Sequence, residues 1–215
     1  ASYDWLLSEQ LRLKLEAYYQ YLYKVPVSID KRSTYSILNE SEGFTERPLT
    51  NTGTAYNRGL ELTLEKFFGN HYYYLITGSL FDSRYFDVNK VEHPTRYSSG
   101  FRCTMLGGRE FPVGKTKQNI IECNGKLIYS GGNRYTPIDL TQSMLASETV
   151  YYDSLAFSQQ VPAYWRIDMT INYRINRPSK AHITSLNVQN VTNRENIFVY
   201  SYNRSNHAME TNYQF

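Results

Sequence analysis

Long segments of the chain alternate between apolar and polar residues with a period of two, and this pattern restricts the fold more than any other feature. From Leu11 to Tyr23 every odd position is apolar or aromatic, whereas the even positions include Arg12, Lys14 and Glu16. A period of two places successive side chains on opposite faces of a β-strand. The segment is also longer than the usual strand of about five or six residues. It therefore predicts a long strand with one apolar and one polar face.

The same alternation returns along the chain and predicts roughly eight strands and no helix. The later segments are Tyr56 to Leu64, Tyr72 to Phe81, Phe101 to Met105, Ile121 to Tyr129, Trp165 to Tyr173 and His182 to Val188. Their charged residues fall on the polar phase, with Arg58 as an exception near a strand end. A lysine or arginine on a lipid-facing position near the bilayer midplane costs about 2–4 kcal/mol. This segregation of charge therefore suits an apolar face that contacts lipid.

The connections between the strands alternate in length. Short ones lie near Leu7 to Gln10, Gly69 to Asn70, Pro112 to Lys117 and Asn176 to Ser179, and long polar ones near Val25 to Ala55, Arg84 to Tyr97, Gly131 to Pro162 and Asn190 to Asn196. Outer-membrane barrels have short periplasmic turns and long external loops, and closure satisfies every backbone hydrogen bond in lipid. The predicted fold class is all-β: an antiparallel up-and-down transmembrane β-barrel segment, about eight strands of a larger barrel.

Composition excludes several classes of protein. Aromatic residues make up 15% of the chain and include 21 tyrosines, which argues against a disordered chain. No apolar run approaches the about 18 residues of a membrane-spanning helix. The net charge is +3 and the charges are scattered, so nucleic acid is not predicted as a partner. Catalytic-serine, zinc, P-loop and dinucleotide motifs do not occur, and we expect neither an enzyme nor a cofactor.

Aromatic residues near the strand ends have two interpretations. Belts of aromatic residues at the two membrane interfaces are the one we favour, because amphipathic rings prefer the headgroup level. A carbohydrate-stacking platform is the alternative. The tyrosines concerned are Tyr19, Tyr21, Tyr23, Tyr72 and Tyr129.

Few residues suggest metal binding or a disulfide. The histidines are far apart and are interpreted as isolated residues of the surface or of the interfacial girdle, and Asp82 and Asp87 are interpreted as loop carboxylates because they lack the spacing of an EF-hand. No metal site is predicted. Cys103 and Cys123 flank one short connection on the apolar phase. A cross-strand disulfide is conceivable in an oxidising envelope, but a slip in register would separate the two residues.

Four segments carry a family resemblance. Asn51 to Phe68 reads NTGTAYNRGLELTLEKFF, and Leu186 to Phe198 reads LNVQNVTNRENIF. Between them, GGNRYTPID at Gly131 to Asp139 precedes QVPAYWRIDMTINYR at Gln160 to Arg174. In this order and spacing the segments resemble TonB-dependent outer-membrane receptors of the Bacteroidetes type, with coverage from Leu11 to Phe198.

The resemblance implies an active importer in the outer membrane of a Gram-negative bacterium. In that family a barrel of about 22 strands is closed by an N-terminal plug, and the TonB complex displaces the plug without covalent chemistry on the substrate. Residues 1–215 are then expected to be the C-terminal portion of the barrel, without the plug domain and the N-terminal strands. Expected partners are outer-membrane lipid, TonB through the N-terminal region of the parent chain, a nutrient and, as an open possibility, a surface lipoprotein. The nutrient class stays open among siderophore, corrinoid, glycan and peptide.

Two further expectations concern the end of the chain and its loops. Met209 to Phe215 alternates and ends on phenylalanine but is short, so we expect that the true last strand follows it. Within the loop from Gly131 to Pro162, aromatic and charged residues mix in a way that suits ligand contact. The candidate substrate-loop residues are Arg134, Tyr135, Asp139, Tyr151, Tyr152 and Asp153. An alternative for the whole chain is a soluble all-β module that binds carbohydrate or another ligand.

Overall fold

A computed structural model describes residues 1–40 and 45–214 of the chain, and its largest feature is an antiparallel sheet of long strands. Within the described residues the strands are β1 (Ser2–Ser8), β2 (Leu11–Ser28), β3 (Leu49–Gly69), β4 (Tyr72–Phe86), β5 (Glu92–Pro94), β6 (Phe101–Val113), β7 (Asn119–Ser130), β8 (Arg134–Tyr135), β9 (Gln159–Gln160), β10 (Tyr164–Arg177), β11 (Lys180–Val188), β12 (Asn196–Asn203) and β13 (Ala208–Gln214). One α-helix, α1 (Leu140–Ala146), and two 3₁₀ turns, Ile37–Asn39 and Asp153–Leu155, lie in the connections.

The long strands form an up-and-down meander. Eight of them pair in the order β1-β2-β3-β4-β6-β7-β10-β11, every pair is antiparallel, and β5 pairs with the loop-side end of β4. The all-β antiparallel class and the number of about eight spanning strands are confirmed. Among the described strands, none pairs with the outer edge of β1 or of β11. The sheet is therefore open at both edges, as a segment of a larger barrel wall would be.

Register confirms the two faces that the alternation predicts. On the apolar face Leu62 lies opposite Leu15 on one side and Gly78 on the other. Trp165 and Tyr173 share this face of β10 and lie about 27 Å apart along the strand at about 3.4 Å per residue. At the tilt of about 35–45° that outer-membrane strands have, this length corresponds to a height of about 19–22 Å, which is most of the about 25 Å height of their apolar band. The exposed tyrosines at the loop-side end of β2 occupy the same face, as the belt interpretation requires.

The short turns hold the strands in register, and one of them differs from the prediction. The two residues of the β3–β4 turn are Asn70 and His71, which have φ of 54° and 67°. Two consecutive residues in the left-handed region make a tight hairpin whose twist matches the strands. Gly69 was expected in this turn, but it ends β3 beneath the side chain of Gln10, where a Cβ would approach the Gln10 amide to 2.4 Å. Close approach of a neighbouring side chain, and not turn geometry, accounts for this glycine.

A β-bulge at Lys24 creates the hydrophobic core at the loop-side end of the sheet. Lys24 has φ of 56°, and the pairing shifts there because Tyr23 lies opposite Thr54 but Val25 lies opposite Gly53. One extra residue reverses the alternation, so Val25 turns to the polar face. There it packs with Val27, Ala55 and Tyr85 in a buried cluster.

The long connection 131–163 contains a helix, which contradicts the expectation of a chain without helices. The Asp139 carboxylate accepts a hydrogen bond of 3.0 Å from the backbone N–H of Gln142 and caps the N-terminus of α1. At 7 residues the helix is too short for its periodicity to stand out in the sequence. Ser143 is fully buried, and its hydroxyl accepts a hydrogen bond from the N–H of Val150.

The C-terminal part departs from the meander. β12 pairs with β13 in a separate hairpin, and the side-chain amide of Asn196 bonds to both the backbone N–H and the C=O of Trp165. The Asn196 amide therefore makes the backbone hydrogen bonds that a neighbouring strand would make at the start of β10. The terminal phenylalanine of the predicted last strand, Phe215, lies outside the described residues.

The two cysteines are not paired. Cys103 lies opposite Tyr129, whereas Cys123 lies opposite Arg109. The two residues are thus six positions out of register on neighbouring strands, about 20 Å at about 3.4 Å per residue. Both are free thiols, so the conceivable disulfide does not form.

Candidate functional site

The candidate site lies in the part of the molecule that rises above the spanning strands. β2 and β3 contain 18 and 21 residues, whereas a membrane strand needs about 9–11. The long connections are therefore carried beyond the apolar band. We call the connecting segments 29–40, 45–48, 87–100 and 131–163, together with the protruding strand ends, the loop-end layer.

A cleft of about 400 Å³ opens on the polar face where the spanning strands enter the loop-end layer. Its floor is a chain of uncharged side chains from three strands. Asn57 donates a hydrogen bond of 2.9 Å to Gln20, and the Ser83 hydroxyl donates one of 2.5 Å to the Asn57 side-chain oxygen. We call this site the polar-face cleft.

Two tyrosines and a buried threonine complete the polar-face cleft. The Tyr18 ring lies across Gly59, where a Cβ would meet ring atoms at 2.6–2.7 Å, so the missing side chain makes room for the ring. Tyr97 lines the upper wall with 55% of its surface exposed. Thr95 lines the same wall and is only 4% exposed. In the part of the chain that the structure describes, its hydroxyl has no hydrogen-bond partner.

The loop above the cleft is fixed by a buried acid–histidine pair. The Asp87 carboxylate accepts hydrogen bonds from the backbone N–H groups of Asn89 and Val91 and lies 3.1 Å from Nε2 of His93. His93 also packs on the Tyr85 ring with a centroid separation of 5.4 Å. The interpretation of His93 as an isolated residue of the surface or girdle is therefore wrong, because this residue is buried in the loop and paired with Asp87.

Arg134 and Tyr135, the first two candidate substrate-loop residues, are half-buried in β8. Arg134 donates hydrogen bonds to the backbone carbonyls of Ser98 and Phe157 and so joins two connections. Burial, with the nearby charge of Arg84, lowers the pKa of Arg134 below its usual range. The Tyr135 ring meets Tyr200 edge to face at 5.1 Å, and burial raises the pKa of Tyr135. Both side chains have clear structural contacts.

Of the remaining four candidate residues, one supports the loop and three are exposed. Asp139 caps α1, as described above. Tyr151, Tyr152 and Asp153 are consecutive and exposed on the outer surface of the loop. The structure thus brings three of the six candidates into the packing of the loop-end layer and leaves the other three available to solvent.

A second cleft of about 300 Å³ lies beside Arg134. Arg96, Asn133, Phe198 and Tyr97 also line it. Tyr97 lines both clefts, which are therefore adjacent. Two arginines, Arg96 and Arg134, line the second cleft, whereas Asp82 is the charged residue that lines the polar-face cleft.

Charges on the apolar phase of the strands are neutralised at the boundary of the loop-end layer. Arg58, the exception in the sequence pattern, lies opposite Asp82 and pairs with it at 3.0 Å. Asp82 also accepts from Arg84 at 2.7 Å. Asp82 was interpreted as a loop carboxylate, but it lies within β4 because this strand continues to Phe86.

Farther down the polar face, side chains from neighbouring strands form a hydrogen-bonded network. Glu122 accepts from the amides of Asn124 and Asn172, and Asn124 accepts from the Tyr73 hydroxyl. Arg166 and Asp168 pair within β10 at 2.9 Å. Polar side chains therefore continue down this face below the polar-face cleft.

The described residues contain neither a cluster suited to a metal ion nor a helix suited to span a membrane. In residues 1–40 and 45–214, histidine, cysteine, aspartate and glutamate side chains form no group of three or more that is suited to hold a metal ion. The helices within these ranges lack the length and apolar character needed to cross a bilayer.

Sequence reasoning missed the polar-face cleft. Alternation places Tyr18, Gln20, Asn57 and Ser83 on the polar phase, and this was the available signal. It does not show which polar positions become neighbours across strands, since that depends on register. Nor does it show that the 87–100 loop brings Thr95 and Tyr97 over them.

Long strands with one apolar face, tight turns at one end and elaborated connections at the other define the wall of an outer-membrane β-barrel. The family described as "TonB dependent receptor-like, beta-barrel" matches residues 1–191. Because the match covers most of the chain, the chain belongs to this family. The family is one of transport proteins in the outer membrane of Gram-negative bacteria. A comparison with curated proteins gives no match.

Proposed function

We propose that residues 1–215 form the C-terminal portion of the barrel wall of an active transporter, which imports a nutrient across the outer membrane with energy supplied through TonB. The observation that carries the proposal is the family match over residues 1–191. It agrees with the amphipathic meander and with the alternation of tight turns and long connections. No covalent step on the nutrient is part of this function.

The two faces and the two ends of the sheet take different parts in this function. The apolar face contacts outer-membrane lipid, and the polar face lines the path of the nutrient. The unpaired edges of β1 and β11 join further strands of the parent chain, which also supplies the plug. TonB acts on the N-terminal region of that parent chain and not on the segment described above.

The loop-end layer captures the nutrient. Among the six candidate residues, the exposed Tyr151, Tyr152 and Asp153 are the ones we assign to nutrient contact, while Arg134, Tyr135 and Asp139 hold the loop in shape. A surface lipoprotein is a fitting partner for α1, because Leu145 is 76% exposed at the top of the loop. Siderophore, corrinoid, glycan and peptide are all nutrients that such a transporter takes up.

Uptake by cells that carry the parent receptor tests the proposal. A radiolabelled ferric siderophore, cyanocobalamin, a neutral oligosaccharide and a short peptide are offered to cells with and without the receptor, and with and without TonB. We expect one of the four to enter only when both proteins are present. Receptor-dependent uptake that persists without TonB, or uptake of none of the four, would contradict the proposal.

A matched pair of triple variants tests the assigned loop residues. Alanine at Tyr151, Tyr152 and Asp153 is expected to raise the nutrient concentration for half-maximal uptake. Alanine at Lys115, Thr116 and Lys117, which are equally exposed in the β6–β7 turn at the opposite end, is expected to leave it unchanged. Equal effects of the two variants would remove the loop residues from nutrient contact.

A further inference from the structure

A row of basic and aromatic side chains crosses the sheet near its tight turns. Tyr72 lies opposite Arg109 in the pairing of β4 with β6. The Lys66 ammonium lies 4.8 Å from the centre of the Tyr72 ring, and the Arg109 guanidinium lies 5.3 Å from the centre of the Phe111 ring. We call Lys66, Tyr72, Arg109 and Phe111 the turn-side row.

The pairing assigns the turn-side row to the apolar face. Lys66 continues the phase of Leu62 along β3, and Tyr72 continues the phase of Gly78 along β4, which lies opposite Leu62 on the apolar face. Arg109 shares this face, because side chains of cross-strand partners point to the same side. Two positive charges therefore lie on the face that we assign to lipid.

The turn-side row lies at the level of the aromatic residue at the turn end of β10. Phe111 lies opposite Ile121, and Ile121 lies opposite Tyr173. Aromatic rings at a membrane interface lie at the level of the lipid headgroups. Lysine and arginine keep their stems on apolar surface and extend their charged ends to that level. The charges of the row are therefore within reach of headgroup phosphates.

Within the described residues, no carboxylate pairs with the charges of the turn-side row. Glu65 and Glu110 are the sequence neighbours of Lys66 and Arg109, but they point to the polar face, where each pairs with an arginine of another strand. The Lys66 ammonium donates hydrogen bonds to uncharged oxygens, and Arg109 contacts an aromatic ring. The alternation of the strands thus separates these cations from the nearest acids in sequence.

The opposite end of the apolar face carries cations with protein partners. There Arg58 and Arg84 both pair with Asp82, and Arg84 lies 3.7 Å from Glu92. Protein carboxylates neutralise the charges at the loop end, whereas the charges of the turn-side row are left for a negative group outside the protein. Basic residues near a membrane surface attract anionic lipid headgroups.

A depression beside Arg109 is suited to an acyl chain. Two residues further along β6, Gly107 lies opposite Gly125, and a Cβ at Gly125 would meet no atom within 4 Å. Tyr74 borders the two glycines on one side and Met169 borders them on the other. An acyl chain can therefore lie over the glycines while its headgroup stays at Arg109.

We infer that the turn-side row binds the headgroup of an anionic phospholipid, whose acyl chain lies over Gly107 and Gly125. The inference rests on the part of the proposed function that places the apolar face in outer-membrane lipid. Lys66 and Arg109 donate charge-assisted hydrogen bonds to the headgroup oxygens, and the Tyr72 ring holds the Lys66 ammonium in place. Because the turns of outer-membrane barrels are periplasmic, the lipid belongs to the periplasmic leaflet.

Native mass spectrometry of the purified parent receptor in a neutral detergent tests the inference. The probes are dioleoyl phosphatidylglycerol and dioleoyl phosphatidylcholine, which share their acyl chains and differ in headgroup charge. We expect phosphatidylglycerol to bind more tightly, and we expect glycerol phosphate, which has no chains, not to compete with it. Equal binding of the two lipids, or displacement by an equal concentration of glycerol phosphate, would overturn the inference.

Substitutions of single charges show whether the lipid binds at this row. Lys66→Gln and Arg109→Gln are each expected to weaken phosphatidylglycerol binding by about fivefold, the usual contribution of one basic residue near an anionic membrane surface. Lys66→Arg and Arg109→Lys keep the charge and should retain most of the affinity. The control Arg58→Gln removes the same charge at the loop end, where Asp82 keeps Arg84 as a partner, and no change is expected. Equal losses for Arg58→Gln and Arg109→Gln would overturn the assignment to this row.

Uptake measurements separate this inference from the proposed function. Phosphatidylglycerol binding that depends on Lys66 and Arg109, without TonB-dependent uptake of any nutrient, would support the lipid site and overturn the transport proposal. TonB-dependent uptake by a receptor that binds the two lipids equally would support transport and overturn the lipid site.

Discussion

The spanning part of the sheet and the loop-end layer are built from the same strands but are stabilised in different ways. The spanning part has almost no buried side chains, and Leu60, Leu80 and Met105 point outward with large exposed surfaces. The loop-end layer contains the buried cluster around Val27 and Tyr85. The spanning part is organised by the different surroundings of its two faces, and the loop-end layer is organised by the packing of its own side chains.

This difference follows from the surroundings of each region. In lipid, hydrocarbon replaces the hydrophobic core, and apolar side chains need only face outward while the backbone is satisfied by neighbouring strands. Outside the bilayer the connections are surrounded by water and must bury their own apolar groups, as a soluble domain does. Substitutions should therefore have effects that depend on the region, and four predictions test this.

The largest effect is expected in the loop-end layer, for Tyr85→Ala. The ring is fully buried, packs on His93 and donates a hydrogen bond of 2.8 Å to the carbonyl of Thr34. Truncation of a buried aromatic residue costs about 3–5 kcal/mol. Hydrogen exchange should show faster exchange across 29–40 and 87–100, while β10 and β11 keep their protection. Tyr85→Phe removes only the hydrogen bond and should cost about 1 kcal/mol; loss of protection throughout the sheet would show that the two regions are not independent.

The next effect is expected in the spanning part, for Leu62→Arg. Leu62 lies in the middle of the apolar face between Leu15 and Gly78. An arginine there should lower the free energy of unfolding in lipid bilayers by about 2–4 kcal/mol. The matched variant Thr77→Arg points to the polar face between Thr63 and Thr104, so a much smaller change is expected. If Thr77→Arg proved as costly as Leu62→Arg, the assignment of the two faces would be reversed or wrong.

A smaller and local effect is expected for Asp139→Ala. The substitution removes the N-cap of α1, and loss of such a cap costs about 1 kcal/mol. Amide exchange in Leu140–Ala146 should become faster while exchange in the rest of the loop-end layer stays the same. Asp139→Asn retains a side-chain acceptor for the Gln142 N–H and should restore most of the protection. Unchanged exchange in the alanine variant would show that packing of Ser143, and not the cap, holds the helix.

The smallest effect is expected for Arg58→Ala at the boundary between the regions. Its pairing with Asp82 is partly exposed, and Asp82 keeps Arg84 as a partner. Exposed ion pairs contribute about 0–1 kcal/mol and weaken with salt. At low salt the substitution should lower the free energy of unfolding by an amount within that range, and the difference from the unsubstituted protein should shrink at high salt. A loss above about 2 kcal/mol would indicate that the Arg58–Asp82 pair is shielded from solvent and not partly exposed.

Prediction from the sequence succeeded for the spanning part and failed mostly in the loop-end layer. Alternation identified the strands, the phase of Leu62 and the four tight connections, because each of these is a local property of the chain. The bulge at Lys24 was missed, since it is an interruption of alternation by one residue. Helix α1 was missed because 7 residues give little periodic signal, and Gly69 was placed in a turn because its contact with Gln10 is not local.

The candidate functional residues were likewise predicted only in part. The loop that carries Arg134, Tyr151 and Asp153 was identified from its composition, but the sequence did not separate residues that support the loop from those exposed on it. The polar-face cleft was not predicted at all. Its members come from β2, β3, β4 and the 87–100 loop, and their proximity depends on register and on the fold of that loop.

The sequence by itself determined the class of the fold, the division into an apolar and a polar face and the end of the sheet that carries the long connections. Residue alternation, charge placement and connection length suffice for this, because the two faces of each strand have different surroundings whichever strands lie beside it. Only the tertiary structure decided the cysteine register, the loop-end core and the grouping of Gln20, Asn57, Ser83 and Thr95. These features depend on contacts between residues far apart in the chain, and a shift of one residue in pairing exchanges the faces of a strand.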